Sequence, residues 1–495
     1  MATFDAVVIG GGLAGLTCAV ALVSNDLKVA VVEREKILGG RARSWTDCVT
    51  GDPISIGPHI LFSEYPNMLK LLRILGTENK IVWERDTFIT MVTGRQEVVM
   101  KMAPLPAPFH FVPSLLADPT LANRDWLSNS AITLYAMSIS ENELLALDSM
   151  PALKLLERFR VSPAYIRRFW AFISMAVMNV PLELCSAASI LRFYRRLNGK
   201  NGYRVGFPDG GLGDLFVPAA ERFLTANGAT ILREVEVTEF IAGERVSGVA
   251  LADGPHLGAR FSIAAVPPRA LEKMLPPGLS SIESLRNLAC FQPSPYISVY
   301  LWFDRKLSDL RFWSRLYEAG DWNVDFYDLS NIYGGWKQRP SVIASNIIYS
   351  SRLGKVSDRE VVARTVLELS EFLPEAAKST VRHAVVNRIP MAIPAPLPGW
   401  EHLRPRNIMP FRGLVLAGDW MQTGLPASME SACMAGWRAA ECVLAEYGRP
   451  QHLAERHQEL NWSAALLGGG LRVLRKMGTR HRTRTSFSRS AMACK

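Results

Sequence analysis

The chain has 495 residues, 48% of them hydrophobic and 21% charged, with a formal net charge of +10. That length exceeds one ordinary domain and allows a large core, and the composition excludes a disordered, collagenous or disulfide-stapled chain. The charge is local: residues 471–495 hold eight Lys or Arg and no acid, which leaves about +2 on the other 470 residues.

The apolar, partly β-branched run from Ala6 to Ile9 reads as a buried parallel strand. Gly10, Gly12 and Gly15 follow it. In that spacing the first glycine turns the chain, the second lets the backbone approach a pyrophosphate, and the third lets a helix pack close to the strand. The helix, from Leu13 to Val23, points the free N–H groups of Leu13 and Ala14 at the phosphates. Val29–Val32 is the next strand, and Glu33, 18 residues after Gly15, suits a ribose hydroxyl. Arg34 stands beside it. Leu38-Gly39-Gly40-Arg41-Ala42-Arg43 then brings backbone and two guanidinium groups close to the same ligand.

Residues 96–198 read as mostly helical, with helical stretches at 144–159 and 167–180, and fit a cap over an apolar pocket. The chain returns near residue 200: a Gly-rich turn at 207–213, a helix to Ala226, a strand at 230–233, and a hairpin built from 234–240 and 246–251. Strands at 296–303 and 341–349 imply a second sheet. Gly413–Ala417 is a strand broken by Gly418 and Asp419, and a helix follows Pro426 to about Tyr447. On it Ala427, Ser431, Ala435 and Ala439 form one row of small residues, and Ser428, Ala432, Gly436 and Ala440 the next, so a neighbour must pack very close. The start of this helix, after Gly418-Asp419, also suits a flavin that gains negative charge on reduction.

The seven cysteines (18, 48, 185, 290, 433, 442 and 494) contain no CxxC pair, and the eight histidines no HxxxH, so no metal site is expected. The scattered thiols imply a reducing compartment, and the strand starting directly after Met1 implies no leader, so a cytoplasmic location is expected. No apolar run reaches about 18 residues, so no spanning helix is expected. The basic residues Arg472, Arg475, Lys476, Arg480, Arg482, Arg484, Arg489 and Lys495 read as an unstructured tail, with residues 466–477 as an amphipathic lead-in. Its sharper reading is contact with an anionic membrane face; without interleaved aromatics apart from Phe487, it does not read as a nucleic-acid surface.

These segments carry a resemblance. The Gly39–Arg43 run resembles the second fingerprint of the FAD-dependent amine oxidase and carotenoid desaturase superfamily, and Ile56-Gly57-Pro58-His59 resembles its flavin-lining segment. Residues 414–440 look like the closing flavin motif of phytoene desaturases and squalene-associated desaturases, hydroxysqualene dehydroxylases among them. Leu105–His110, Phe172–Glu183 and Phe207–Gly211 add to it, so the likeness spans residues 1–447 in order. The family usually carries Gly and Ser where Ser431 and Ala435 stand.

The resemblance implies an α/β (α+β) fold with a Rossmann-like FAD-binding domain of the glutathione-reductase type, drawn from residues 1–95, 199–270 and 396–447. A discontinuous substrate domain, a mixed sheet plus helical cap, would come from 96–198 and 271–395, with 448–495 as an extension. FAD would be held by Gly10, Gly12, Leu13, Ala14, Gly15, Glu33, Arg34, Gly40, Arg41, Ala42, Arg43, Gly57, Pro58, His59, Val237 (facing the adenine), Gly418, Asp419, Ala427, Ser428 and Met429. The expected activity is dehydrogenation or dehydroxylation of a long apolar isoprenoid by hydride transfer involving flavin N5. A quinone or oxygen would be the electron acceptor, and His59 and Glu430 are the candidate catalytic residues. Two alternatives stay open. One is an oxidase of small amines or imines, such as a pyrroline taken to a pyrrole, for which Trp420 or Tyr333 would wall an aromatic cage. The other is a binding protein resembling GDP-dissociation inhibitors.

Overall fold

The computed structural model describes residues 3–473, apart from Asp86, Asp253, Pro255, Ser281, Tyr317, Ala319, Gln458 and Glu459. The fold is mixed α/β and is built on two large sheets. The first opens with β1 (Thr3–Ile9), α1 (Leu13–Val23) and β2 (Val29–Glu33), all at the expected places. β1 lies between β2 and Leu257–Ala264, and all these pairings are parallel. Thr230–Arg233 extends the sheet beyond β2, and Leu414–Leu416 adds to Leu257–Ala264. The expected hairpin, Val237–Ala242 with Val246–Leu251, closes the other edge antiparallel. Helices cover this sheet, as a parallel sheet of near-continuous Val, Ile and Ala requires.

α1 is buried along its whole length because the closing helix, Met429–Glu446, lies against it. The small-residue row explains how. A Cβ on Gly436 would stand 2.4 Å from the Ala14 carbonyl oxygen, so only glycine permits the approach.

The second sheet runs Val381–Pro394, Pro293–Phe303, Val342–Ile348, Asp325–Asp328, Phe312–Arg315, Ile89–Thr93, Gln96–Met100. The hairpin at 89–100 therefore belongs to the second sheet, although its first strand falls in the stretch expected with the cofactor and its second in the stretch expected to be helical. Val381–Pro394 was not foreseen either. His383, Asn387, Arg388 and Pro390 interrupt its pattern, and its place at the edge of the sheet is what accommodates proline.

The cap differs in detail. The stretch 144–159 is two helices, Glu141–Leu145 and Ala152–Arg158, because Pro151 stands between them. The stretch at 167–180 winds as two wide π turns, Ile166–Ala171 and Ser174–Met178, and ends at Asn179 in the left-handed region with φ 60°.

Residues 462–473 are helical, so the lead-in expected at 466–477 is helical as far as it is described, and residues 471–473, expected in the unstructured tail, are helical with it. Gly468 sits under the Met137 carbonyl, and Arg472 donates to the carbonyls of Ser138 (2.9 Å) and Ile139 (3.3 Å). The other seven basic residues of the tail lie outside the described residues. Cys18 and Cys433 are fully buried, and burial pushes both thiols up, as befits packing rather than reactivity. No described helix is long and apolar enough to cross a membrane.

Candidate active site

A cavity of about 1150 Å³ runs between the two sheets. It exceeds the roughly 300–1,000 Å³ of common small-molecule pockets, which leaves room for a cofactor and a substrate together. All the residues expected to hold the cofactor line it except Gly15.

Gly15 explains itself by packing: its Cβ would stand 2.0 Å from the Gly10 carbonyl oxygen. Gly10 has φ +103°, and its Cβ would meet the Ala265 carbonyl oxygen at 2.6 Å. Gly12 is different. Nothing lies within 4 Å of an added Cβ, so a side chain there would project into the cavity. Gly12 also caps α1 without a side chain, which leaves the first-turn N–H groups facing that space. Glu33 accepts from the Gly11 N–H (2.7 Å) and the Glu35 N–H (3.0 Å), so the carboxylate both shapes the glycine loop and keeps acceptor capacity at the cavity wall. Arg34 stands exposed at the rim, beside Glu35 at 3.4 Å.

The two glycine-rich ends meet. Arg41 grips Asp419 with both terminal nitrogens (3.0 and 2.7 Å), across 378 residues of sequence, and also donates to the Ala392 carbonyl (3.1 Å). Ser431 donates to the Asp419 carbonyl (3.0 Å) and pairs with Thr423 (2.7 Å). Serine in place of the usual glycine thus pins the Gly418–Asp419 turn to the closing helix. Ser428 is the N-cap of that helix, accepting from the Ser431 N–H at 3.2 Å, and Ala427 and Met429 flank it on the cavity wall. Arg404, which the sequence reading missed, is 4% exposed and donates to the Leu425 carbonyl (2.7 Å), the Thr423 hydroxyl (3.1 Å) and the Asp419 carbonyl (3.3 Å). No motif marks it; only the fold brings it under the turn.

Glu430 is a clamp. Its carboxylate accepts from the N–H groups of Asn67 (3.1 Å) and Met68 (2.9 Å), the Asn67 amide (2.7 Å) and His457 (2.7 Å). These contacts cap the helix Pro66–Ile74 and tie down the C-terminal extension, and Glu430 also lines the cavity. His59 lines the cavity with Nδ1 2.8 Å from the Gly57 carbonyl. A carbonyl only accepts, so Nδ1 carries the proton and Nε2 a lone pair. Burial lowers the pKa of the ring and keeps it neutral.

Beyond this cradle the wall turns apolar. Phe172 and Ile173 come from the link between the π turns, Ala176 and Val177 from the second turn, Phe193 and Leu197 from the helix Ala187–Gly199, and Tyr296, Ile348, Ile389 and Met391 from the second sheet. Trp420 also touches the cavity, but its indole N–H is committed to the Val266 carbonyl (3.1 Å) and its ring to Phe291. Tyr333 packs on Trp336 away from this wall, so it does not supply a cage. One acid on the wall had no signal in the sequence: Asp325, 8% exposed, whose carboxyl burial pushes up to about 7.

Comparison with known proteins agrees with this geometry. The family described as flavin containing amine oxidoreductase matches residues 13–444. Among curated relatives, the 15-cis-phytoene desaturase of Synechococcus elongatus is 24% identical over 453 residues, covering 88% of this chain and 95% of its own. The chloroplastic/chromoplastic 15-cis-phytoene desaturase of an Oncidium hybrid cultivar is 27% identical, covering 90% and 78%. Among solved structures, wild-type putrescine oxidase bound to putrescine superposes with a TM-score of 0.69 at 16% identity, over 90% of this chain and 99% of its own. Cyclohexylamine oxidase from Brevibacterium oxydans gives 0.65 at 18%, over 90% and 100%. The chain belongs to the flavin-containing amine oxidoreductase family and is an FAD-dependent oxidoreductase.

Proposed function

We propose that the protein dehydrogenates, or reductively dehydroxylates, a long apolar isoprenoid of the carotenoid-precursor or squalene type. The carrying observation is the continuity of one cavity from the Gly12–Arg41–Asp419 cradle to a wall of Phe172, Ile173, Val177, Ile348 and Ile389. The phytoene desaturases among its relatives act in the same sense.

When bound, FAD supplies the redox chemistry by exchanging a hydride at N5. The residues supply the rest. The first-turn N–H groups of α1 would hold the pyrophosphate, Glu33 would take a ribose hydroxyl, and Val237 would border the adenine. Arg41 holds Asp419, which would take the ribityl chain, and the N-terminus of the closing helix, with Ala427, Ser428 and Met429, would stabilise negative charge on the reduced flavin. Gly57, Pro58 and neutral His59 form its other border. The apolar wall excludes water from the substrate chain.

Two further elements belong to the proposal. In the dehydrogenation electrons leave to a quinone or to oxygen, whereas the dehydroxylation draws its hydride from flavin that has first been reduced. The protein rests on an anionic membrane face, where its substrate dissolves. Trp462 (74% exposed), Leu466 (69%) and Val473 (58%) recur on one outer face of the helix at 462–473, just ahead of the basic tail. Ser463 ties this helix to the Ala107 carbonyl, near exposed Leu105 and Phe109.

The test is the visible spectrum of the purified holoprotein under nitrogen. Phytoene or squalene should bleach the flavin band, or hydroxysqualene should reoxidise a pre-reduced flavin. Bleaching only by small cyclic amines or imines would refute the reading.

A further inference from the structure

A polar row crosses the second sheet. Opposite residues on neighbouring strands share a face. The register sets Ser314 opposite Asp325, Asp325 opposite Asn346, Asn346 opposite Ser298, and Ser298 opposite Asn387. The residues two places along on that face are Phe312, Tyr327, Ile348 and Tyr296, so the row cuts through an aromatic and aliphatic surface.

One end of the row is occupied by the protein itself. Ser298 donates to the Ile56 carbonyl (2.6 Å), Asn387 reaches the same oxygen (3.4 Å), and the Asn346 amide donates to the Pro58 carbonyl (3.1 Å). This end fixes the segment that borders the isoalloxazine in the proposed function. The other end, Asn346, Asp325 and Ser314, lines the cavity. There the polar atoms outnumber their partners. Asn346 Oδ1 and Ser314 Oγ make no hydrogen bond among the described residues, although the two residues are only 4% and 1% exposed. Asp325 accepts from the Tyr327 hydroxyl (3.1 Å) and the Asn346 N–H (3.2 Å).

A wall built for a hydrocarbon gains nothing from such groups, since each is desolvated without a partner. The unmatched atoms are an amide oxygen and a hydroxyl, beside a carboxyl that already accepts from Tyr327 and Asn346, a set that calls for a ligand able to donate a hydrogen bond. A hydroxyl meets that need and can accept from Ser314 in return. An ammonium group would bring a full charge into an apolar cavity against a carboxyl that burial already holds toward its neutral form.

We propose that Ser314, Asp325 and Asn346 form a subsite for a substrate hydroxyl, so that the isoprenoid taken by this enzyme is an alcohol rather than a pure hydrocarbon. The proposal rests on the reading of the cavity as an isoprenoid site. It places the oxygen beside the Ile56–His59 segment, close to the reacting end of the chain.

The test is equilibrium binding to the FAD-loaded protein in mild detergent, read by the flavin spectrum and by tryptophan fluorescence. The probes are geranylgeraniol, its methyl ether, and geranylgeranylamine. Geranylgeraniol should bind about tenfold more tightly than the ether, which keeps the oxygen but has no proton to donate. Asp325→Val should abolish that preference. Ser314→Ala removes a hydroxyl with no partner among the described residues, so it should leave stability intact and reduce the preference severalfold. Equal binding of alcohol and ether to the native protein would overturn the subsite while leaving the isoprenoid reading standing, and so would a preference that survives both variants. Tighter binding of the amine than of the alcohol would overturn the hydroxyl assignment. Failure of all three probes to bind, with no bleaching by phytoene, would remove the isoprenoid reading and the subsite with it.

Discussion

Replacing Asp325 by Asn removes a titratable group from the cavity wall but keeps its shape and one acceptor oxygen. Burial raises the carboxyl from its ordinary 3.8 to about 7. A shift of about three units corresponds to roughly 4 kcal/mol. The sign follows from an acid whose pKa is raised in the fold. Below about pH 4 the carboxyl is protonated in both states and contributes nothing. From about pH 4 to about pH 7 the unfolded chain ionises and the folded one does not, so the fold loses about 1.4 kcal/mol per pH unit. Above about pH 7 the loss is complete and constant. Asp325→Asn escapes it, less about 1 kcal/mol for altered hydrogen bonds to Tyr327 and Asn346. The variant should therefore gain on the native protein steadily as the pH is raised to about 7, then hold a constant lead of roughly 3 kcal/mol. Urea unfolding of both proteins from about pH 5 to about pH 8 measures this directly. A difference that does not change with pH, or a variant less stable than the native protein at about pH 8, would show that Asp325 is held ionised and would refute the account of its burial.

Three other substitutions address the cradle. Gly436→Ala pushes a methyl against the Ala14 backbone carbonyl and should cost roughly 1–3 kcal/mol; a lower melting temperature with partial loss of flavin absorbance checks it. Arg41→Ala leaves Asp419, 4% exposed, without its partner. It should yield protein with a much reduced ratio of flavin to protein absorbance, partly restored by added FAD. Glu430→Gln weakens the cap on Pro66–Ile74 and the tie to His457, at a cost of about 1–2 kcal/mol. Turnover per bound flavin should stay near the native value, whereas a large fall would return Glu430 to the reacting centre.

What the sequence disclosed followed from constraints that act over short distances. α1 was placed to the residue because only glycine fits at Gly10 and Gly15, each against a backbone carbonyl. The closing helix announced its close partner through rows of small residues, and that partner is α1. The second sheet was half legible. Pro293–Phe303 and Val342–Ile348 carry the β-branched and aromatic content of buried strands, whereas Val381–Pro394 carries polar residues and prolines that only an edge position explains. The contacts of Glu430 were not legible, because proximity to a helix start says nothing about which donors reach it. Those donors come from Asn67, Met68 and His457, on two other segments of the chain.

The polar row marks the boundary of what local reasoning reaches. Ser298, Ser314, Asp325, Asn346 and Asn387 share no spacing and no motif, and each alone reads as an ordinary polar residue in or beside a strand. Sheet pairing aligns them, and pairing is a property of five segments at once. The alignment has a physical consequence at both ends. Where the Ile56–His59 segment crosses the sheet, its carbonyls satisfy the row, so the segment is held by Ser298, Asn387 and Asn346 at a fixed height above the strands. Where the segment ends, the same row continues into the cavity without carbonyls to meet it. A group that satisfies the open end is therefore positioned by the same strands that position the border of the flavin site. Their relative placement is set by strand spacing of about 4.8 Å rather than by mobile loops. That shared frame is why Ser314→Ala should weaken recognition of the alcohol while leaving the cradle and its flavin undisturbed.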